Sequence, residues 1–247
     1  MMDKKLVIIP TYNEKENIEK IIRYTFSVAD VHILVVDDSS PDGTSEIVKG
    51  LLAEFPDKLF LEIRTQKNGL GKAYIHGFQW ALTHNYDFIF EMDADFSHNP
   101  NDINRLYQAC IEQNADLAVG SRYCKGGQVV NWPRSRRMIS YYGSVYVRSI
   151  LWIPIHDTTA GFICYRASAL KTVDLSQIHH VGYGFQIEMK YTFLKLKFKV
   201  VEVPITFTDR TEGTSKMSAG IFKEAIMGVI GLRFRYLFKK PKTLQNT

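Results

Sequence analysis

Cysteine is scarce in this chain of 247 residues, which contains only Cys110, Cys124 and Cys164. Their spacing matches no zinc motif, and their odd number argues against a disulfide framework. A reducing, cytosolic compartment fits this cysteine usage. The composition therefore argues against a small secreted domain held together by disulfides.

Long apolar runs and common nucleotide motifs are also missing. No uncharged apolar run approaches the roughly 20 residues that span a bilayer, and residues 1–5 are too short and charged for a signal peptide. The chain has no G-x-G-x-x-G after its first predicted strand and no G-x-x-x-x-G-K-[ST], so dehydrogenase and P-loop interpretations lose their usual support. No RNA- or DNA-binding motif is present either.

What the chain does contain is an ordinary globular composition with an uneven positive charge. Hydrophobic residues make up 45% and charged residues 23%, as expected for one large domain or two small ones. The net charge is +5. Two basic clusters stand out: Arg134, Arg136 and Arg137, and then Arg233, Arg235, Lys239, Lys240 and Lys242. Such clusters suit an anionic partner, which could be a phosphorylated ligand, an anionic membrane face or nucleic acid.

Apolar runs alternate with segments of helical periodicity through the first hundred residues. Predicted strands are 6–9, ended by Pro10, then 32–36, 59–64 and 88–90; predicted helices begin near 17 and cover 45–55 and 73–84. Asn13 could cap the first helix, with Glu16 completing a capping box. The alternation predicts an α/β fold with a mostly parallel central sheet and helices on both faces.

Polar loops follow three of these strands, at residues 10–14, 37–43 and 93–98. In open parallel sheets, ligands bind beyond the carboxyl ends of the strands. The three loops are therefore expected to open on one edge and to form a binding site there.

The last of these loops begins with two aspartates, Asp93 and Asp95. Residues two apart on an extended chain point the same way, so both carboxylates can face one cation. Hard oxygen ligands with room for phosphate and water suit Mg²⁺ or Mn²⁺ carrying a diphosphate. The alternative is that both aspartates simply close a strand, since Asp is common in turns.

A glycine-punctuated segment, 68–72, precedes the third helix. It resembles a phosphate-binding loop only weakly. A helix-entry loop that uses glycine for its backbone freedom explains it equally well.

Taken together, these motifs resemble those of family 2 glycosyltransferases with the GT-A (Rossmann-like) fold, and more narrowly those of dolichol-phosphate (polyprenol-phosphate) mannose synthases. The matching segments are 8–14, 35–44, 69–73, 92–100, 120–123, 132–140, 157–162, 182–188 and 209–216. The resemblance extends to about residue 220, with the motifs in matching order. It implies a GT-A catalytic domain over 1–220.

The resemblance implies roles for the matched residues on the donor side. The nucleoside of a nucleotide sugar would be held by Pro10, Tyr12, Glu14, Val36 and Asp38. The diphosphate would be lined by Asp93, Ala94 and Asp95, with Asp95 the direct metal ligand and Ser97 a further metal-side position where some relatives have Gln. Phosphate or sugar would be contacted by Arg122, Arg210 and Lys216, which with Asp95 form the implied catalytic set.

The acceptor side would lie around the first basic cluster. The resemblance singles out Arg122, Arg136 and Ser140 as contacts to the phosphate of a polyprenyl phosphate. Guanidinium groups suit phosphate oxygens, and Trp132 suits a membrane interface. Relatives usually continue S-R-G-A-N, whereas this chain has S-Y-Y-G-S over 140–144. Alone, the arginines could equally be a solvated helix face.

The chemistry implied is transfer of a hexose with inversion, most simply mannose from GDP-mannose. A phosphate monoester is already anionic at pH 7, with a second pKa of about 6, so this acceptor needs no general base. In relatives that glycosylate hydroxyl groups, a carboxylate near Glu188 is the base. Here Glu188 is expected to position substrate or structure, or simply to be a buried hydrogen-bonded group.

The C-terminal part is expected to serve the membrane and the site. Residues 206–216 lack apolar periodicity and predict a mobile lid that orders on donor binding. Residues 221–240 predict a basic amphipathic helix on the cytoplasmic membrane face, with core packing as the alternative. Residues 241–247 are expected to be a disordered tail. Membrane-anchoring partner subunits are conceivable.

The sequence is also compatible with three other functions. The same fold could use UDP-glucose or another donor, or a hydroxyl acceptor. A non-catalytic nucleotide-sugar-binding protein is a second rival, against which the full set of matched charged residues argues. Nucleic-acid binding is a third, supported only by the basic clusters.

Overall fold

The computed structural model describes residues 3–66, 68–209, 219–238, 241 and 243; for residues 183 and 219–227 it describes the backbone alone. A seven-stranded sheet runs through the centre in the order β3-β2-β1-β4-β7-β5-β8. Its strands are β1 (Lys5–Thr11), β2 (His32–Asp37), β3 (Leu59–Ile63), β4 (Phe88–Glu91), β5 (Leu117–Ser121), β7 (Ile163–Arg166) and β8 (Val200–Pro204). Neighbouring strands are parallel except where β7 pairs with β4 and β5. The predicted mostly parallel sheet is confirmed.

Helices cover both faces of this sheet. They are α1 (Ile18–Val28), α2 (Thr44–Leu52), α3 (Leu70–Thr83), α4 (Asp102–Glu112), α5 (Arg134–Leu151), α6 (Ala167–Leu170), α7 (Tyr183–Lys195) and α8 (Ala219–Phe238). One face packs against α1, α2 and α4, and the other against α3 and α7. Alternate residues of β1 serve the two cores, with Val7 and Ile9 on one side and Leu6 and Ile8 on the other, as the period of two in a strand requires.

Proline does not end the first strand, contrary to expectation. β1 continues through Pro10 to Thr11, and Pro10 pairs with Val36 of β2. On its other side, pairing with β4 stops at Ile8. Proline lacks the backbone N–H donor. Because Pro10 lies past the end of β4, no strand on that side would accept a hydrogen bond from this position.

The predicted cap of the first helix and the predicted start of the third were wrong. α1 begins at Ile18 after Asn17, which makes no side-chain cap. Asn13 instead adopts a left-handed conformation (φ 58°) and donates its N–H to Ser40 Oγ at 3.0 Å. α3 begins at Leu70, three residues before the predicted start. The capping box did not form because the N-cap position is Asn17, and Asn13 bonds to the loop after β2 instead.

A small second sheet joins β6 (Gln128–Val130) to β9 (Thr206–Thr208) in parallel. The β9 segment was predicted to belong to the mobile lid over 206–216, and no strand was predicted over β6. Three-residue strands are too short to show a period of two, so this pairing was not visible in the sequence. The rest of the predicted lid, from residue 210 to 216, lies outside the described residues.

The C-terminal helix packs on the body of the protein. In α8, Val229, Leu232 and Tyr236 are buried against Val147 of α5 and Tyr191 of α7. One face of this helix thus belongs to the core. In the segment predicted to be a tail, Thr243 forms an isolated bridge with Val173, and residues 242 and 244–247 lie outside the described residues.

Candidate active site

The ends of β1, β2 and β4 meet at one edge of the sheet, as predicted. Thr11 Oγ1 donates to Asp37 Oδ2 at 2.8 Å, and the Asp38 N–H donates to the Thr11 carbonyl at 3.1 Å. On the other side of β1, the Met92 N–H donates to the Ile8 carbonyl at 3.2 Å. The three polar loops are therefore fixed to one another at this edge.

The neighbouring residues Asp37 and Asp38 bind different partners. Asp37 is fully buried and accepts the Ser40 N–H at 2.9 Å and the Ser40 hydroxyl at 2.6 Å. It holds the turn after β2 together, a structural role that the sequence did not reveal. Asp38 pairs with Arg64 across 3.2 Å, so a cation from the end of β3 helps to hold the residue assigned to the nucleoside.

The other residues assigned to the nucleoside surround this pair. Pro10, Tyr12 and Glu14 are half-buried, and the Glu14 N–H donates to Thr44 Oγ1 at 3.0 Å. Val36 has a buried side chain in the sheet, so only its backbone could face a ligand. A cavity of about 530 Å³ adjoins Arg64; its lining is Arg64, Asn68, Lys72, Ile75, His76 and Gln79.

Each of the three loops contains a non-glycine residue with a positive φ. These are Asn13 (58°), Ser39 (52°) and Phe96 (60°). Left-handed backbone is unfavourable for side chains other than glycine, and it persists where surrounding structure enforces it. The surrounding hydrogen bonds described for these loops hold this backbone in place.

The two aspartates of the D-x-D pair differ in exposure. Asp93 has a side chain that is 41% exposed, whereas Asp95 is 6% exposed. The Ser97 N–H donates to Asp95 Oδ1 at 3.1 Å, and the Asp93 N–H donates to His98 Nδ1 at 3.2 Å. Because burial lowers the pKa of His98 to about 4, its ring is neutral and its Nδ1 can accept this bond. Ala94 is buried between the aspartates.

The same carboxylates surround a tyrosine that the sequence did not single out. Tyr74 of α3 is fully buried. Burial raises the pKa of its hydroxyl well above its usual value, and the negative charges of Asp93, Glu91 and Asp95 raise it further. A site with this much negative charge favours a cation.

The donor set fits a divalent cation that also binds a diphosphate. Among the described residues, no three His, Cys, Asp or Glu side chains cluster as a complete metal cage. Mg²⁺ is commonly held by one or two carboxylates while substrate phosphates and water supply its other ligands. Asp93 and Asp95, at the mouth of the loops, match that chemistry.

The glycine segment before α3 is explained by packing. A Cβ on Gly71 would lie 2.8 Å from the His180 carbonyl and from the Phe185 ring, and Gly69 is similarly close to Val181. The Gly71 N–H donates to the Val181 carbonyl at 2.8 Å. These glycines allow the 180–181 backbone to approach. The positive φ of Gly69 (92°) uses the backbone freedom that the helix-entry interpretation expected.

Arg122 is the centre of the second half of the site. Its guanidinium donates to both carboxylate oxygens of Asp157, from Nε at 2.6 Å and from Nη2 at 2.7 Å. Nη2 also donates to Thr159 Oγ1 at 2.9 Å, and the Arg122 N–H donates to Asp157 Oδ2 at 2.9 Å. Arg122 is 8% exposed and Asp157 fully buried. Asp157 was missed as a site residue, although it begins the D-T-T-A-G-F motif.

Aromatic rings surround this guanidinium. The guanidinium carbon of Arg122, Cζ, lies 5.1–5.7 Å from the ring centres of Tyr123, Trp132 and Phe207. Arg136 lies 4.2 Å from the Trp132 ring and donates to both oxygens of Asp209 at 2.9 and 3.0 Å. Two of the residues assigned to the acceptor phosphate thus share one tryptophan.

The donor and acceptor halves touch through Phe207. Its ring packs edge-on against His98, 5.5 Å between centres, and also against Trp132 at 5.4 Å. Ser140, the third acceptor residue, is half-buried on the second turn of α5. Two residues assigned to phosphate or sugar, Arg210 and Lys216, lie outside the described residues.

Glu188 lies in a hydrogen-bond network of its own. It is fully buried. Its Oε2 accepts the backbone N–H groups of His179 and His180, both at 2.9 Å, and His180 Nδ1 at 2.7 Å; its Oε1 accepts Arg235 at 2.8 Å. Burial alone would raise its pKa, but the hydrogen bonds from His180 and His179 leave the pKa below its usual value. A carboxylate with four donors is a structural anchor.

Comparison with known proteins agrees with this geometry. The model of glycosyl transferase family 2 matches residues 6–174. The chain belongs to glycosyl transferase family 2. The fold is accordingly the GT-A class of that family, and the protein is a glycosyltransferase.

Several similar proteins have names that combine mannose with a polyprenol or its phosphate. Polyprenol monophosphomannose synthase of Mycolicibacterium smegmatis is 47% identical over 94% of this chain and 88% of its own. Undecaprenyl-phosphate mannosyltransferase of Micrococcus luteus is 48% identical over 91% of both chains. Dolichol-phosphate mannosyltransferase of Pyrococcus furiosus is 41% identical over 87% of this chain but only 59% of its own length.

Solved structures share the fold at lower identity. Glucosyl-3-phosphoglycerate synthase from Mycobacterium tuberculosis, in complex with Mn²⁺, UDP and glucosyl-3-phosphoglycerate, superposes with a TM-score of 0.65 at 17% identity, over 93% of this chain and 78% of that one. At this identity the likeness concerns the fold alone.

Proposed function

We propose that this family 2 glycosyltransferase moves mannose from GDP-mannose to dolichyl or another polyprenyl phosphate, giving GDP and polyprenyl-phosphate mannose with inversion. The observation that carries the proposal is the identity of 47% and 48%, along nine tenths of the chain, with two proteins named for mannosylating or mannose-carrying polyprenyl phosphates. The two adjoining halves of the site support it.

The donor half has groups for each part of a nucleotide sugar. Tyr12 supplies an aromatic face for the base, and Asp38 supplies a carboxylate for base or ribose donors. Asp93 and Asp95 would hold Mg²⁺ or Mn²⁺, which when bound neutralises the diphosphate leaving group. Arg210 and Lys216 are proposed to assist there.

The acceptor half offers cations beside aromatic rings. Arg136 is half-exposed, and its pair with Asp209 is open to solvent, so an acceptor phosphate can compete for it. Arg122 is held by Asp157 in one orientation. Fixed guanidinium donors align a phosphate oxygen for attack at low entropic cost. In-line attack on the sugar from this side inverts the anomeric centre.

No general base is required by this chemistry, because the acceptor phosphate is already ionised with a second pKa of about 6. Glu188 is fully buried, and its carboxylate is bound by His180 and Arg235. This agrees with a phosphate acceptor better than with a sugar hydroxyl, which would need a base.

Exposed apolar side chains suit a lipid substrate. On α5 they are Met138, Ile139, Tyr141, Tyr142 and, next to its end, Trp152; on α8 they are Phe234, Leu237 and Phe238. Arg233 lies 4.6 Å from the Trp152 ring. Among the described residues, no helix is both long and apolar enough to cross a membrane. We infer a peripheral enzyme whose α5 and α8 rest on the cytoplasmic membrane face. Membrane-anchoring partner subunits stay a prediction.

The test is a panel of radiolabelled nucleotide sugars offered with polyprenyl phosphate and Mn²⁺. Label from GDP-mannose is expected in the chloroform-extractable product, in an alkali-stable, acid-labile phosphodiester. If the label comes from UDP-glucose instead, the donor is UDP-glucose and not GDP-mannose. If label appears only in water-soluble glycosides, the acceptor is not a polyprenyl phosphate. No transfer from any donor would favour a non-catalytic binding protein.

A further inference from the structure

One buried cation has no part in the proposed transfer reaction. Lys190 of α7 is fully buried, and it is the only lysine buried among the described residues. A buried ammonium is unfavourable unless its donors and its charge are matched. A charged group retained in such a place needs a reason beyond packing.

All three donors of this ammonium are used by backbone carbonyls. Lys190 Nζ donates to Ala160 at 2.6 Å, to Gln186 at 3.2 Å and to Thr158 at 3.3 Å. Thr158 and Ala160 flank Thr159, which together with Asp157 binds Arg122. Lys190 therefore binds the backbone of the turn that contains Asp157 and Thr159, the two side chains that accept hydrogen bonds from Arg122.

A carboxylate binds the backbone N–H groups at the start of the same turn. Glu202 of β8 accepts the N–H of His156 at 2.8 Å and the N–H of Asp157 at 3.0 Å. The turn thus has its N–H groups on an anion and its carbonyls on a cation. With the backbone of the turn held on both sides, the Asp157 carboxylate accepts two hydrogen bonds from the Arg122 guanidinium.

The network also reaches the donor half. The Gln186 side chain donates to Glu91, the last residue of β4 before the D-x-D loop, and Tyr165 donates to the other Glu91 oxygen at 2.8 Å. The Gln186 carbonyl accepts from Lys190. One turn of α7 therefore connects the strand that ends at the aspartates with the turn that orients Arg122.

We propose that Lys190 is a positioning residue that sets the Arg122 guanidinium relative to the donor, by fixing the 157–160 turn that holds it. The proposal rests on the proposed function, since Arg122 is assigned there to the acceptor phosphate. Lys190 touches neither substrate, and it acts through Asp157 and Thr159. Its loss should therefore affect the use of the acceptor and not the binding of the nucleotide.

The experiment compares Lys190→Met with Lys195→Met, an exposed lysine of the same helix. The first should lower kcat/KM for polyprenyl phosphate by at least tenfold while the Kd for GDP with Mn²⁺ changes less than twofold. The second should change neither. Equal losses in acceptor use and GDP binding, or no loss at all, would overturn the proposal.

A double-mutant cycle separates positioning from general loss of stability. If Lys190 acts through Arg122, Lys190→Met should have little further effect in an Arg122→Met background, because interacting residues are non-additive. Independent, multiplying effects would contradict the proposal.

A readout that needs no turnover distinguishes this inference from the proposed function. Hydrogen exchange of the Arg122 Nε–H, followed by NMR in ¹⁵N-arginine-labelled protein, should be slow in the wild type and much faster in Lys190→Met. If the wild type transfers no hexose, the proposed function fails, yet this exchange still decides the positioning role. Unchanged exchange would refute it.

Discussion

Arg122 and Asp157 form a buried ion pair with two parallel hydrogen bonds, 35 residues apart in sequence and at the border between the two halves of the site. Burial opposes the charge of Asp157, but Arg122 outweighs it and holds the pKa of that carboxyl below its usual value. This pair gives the acceptor half its fixed cation.

Replacing Asp157 by Asn should destabilise the protein, because it leaves Arg122 buried without its counter-charge. Removing one partner of a buried ion pair typically lowers the free energy of unfolding by about 3–5 kcal/mol. Asn keeps some of the hydrogen bonds, so a decrease at the lower end of this range is expected. Chemical denaturation would measure it, and acceptor kcat/KM should fall in parallel.

The matched control is Asp209→Asn, which affects the half-exposed pair with Arg136. Exposed pairs contribute about 1 kcal/mol or less. Similar destabilisation by both variants would contradict the assignment of Arg122–Asp157 as the structural pair.

Glu188→Gln should leave a substantial fraction of the transfer rate. The carboxylate is enclosed by His179, His180 and Arg235, so it cannot take a proton from an acceptor in the cleft. Steady-state kinetics would check this. A fall on the order of 10²–10⁴-fold, the usual contribution of a general base, would refute the structural role if the variant remains folded.

The pH dependence of stability offers a second test of Glu188. Its pKa in the folded protein is below the ordinary value of 4.5. The stabilisation is therefore complete above 4.5 and is lost as the pH falls through the folded pKa. Acid unfolding of the wild type should show this loss, and Glu188→Gln should show a shallower decline over the same range.

Gly71→Ala should destabilise the protein, because the new Cβ would meet the His180 backbone at 2.8 Å. Overpacking of this kind costs about 1–3 kcal/mol. Gly50→Ala is the control: Gly50 lies within α2 with nothing near its added Cβ, and the change should stabilise by about 0.5–1 kcal/mol. Melting temperatures that move the same way would contradict the packing explanation.

Membrane association should depend on the exposed ends of α5 and α8. Trp152→Glu and Phe238→Glu alter side chains that are 80% and 89% exposed, and each should weaken binding to anionic vesicles by several-fold or more, since a charge replaces apolar surface. Ile111→Glu on α4, 45% exposed, should bind like the wild type. Equal binding by all variants in a flotation assay would place the membrane contact elsewhere.

The donor edge was predictable from local patterns. Apolar runs that stop at polar loops identified β1, β2 and β4, and the parallel arrangement of βαβ units then brought their ends together. The aspartates of the D-x-D pair needed only their place after β4. Boundaries failed where tertiary contacts took over, as at Pro10 and at the start of α3.

The acceptor half could be predicted only in part. The resemblance pointed to Arg122 and Arg136, but nothing local to them indicated Asp157 or Asp209 as their partners. The β6–β9 pairing and the grip of Lys190 on the 157–160 turn join segments far apart in the chain. Such contacts form only in the packed fold, and no hydrophobic periodicity in the sequence predicts them.

Calorimetric titration of GDP tests the central claim most directly, namely that Asp93 and Asp95 hold one divalent cation against the diphosphate. Wild-type protein should bind GDP at least tenfold more tightly with Mn²⁺ than with EDTA, and this difference should vanish in Asp95→Asn and shrink in Asp93→Asn, whereas exposed Asp30→Asn should keep it. A Mn²⁺ effect that survives unchanged in a folded Asp95→Asn variant would contradict the account.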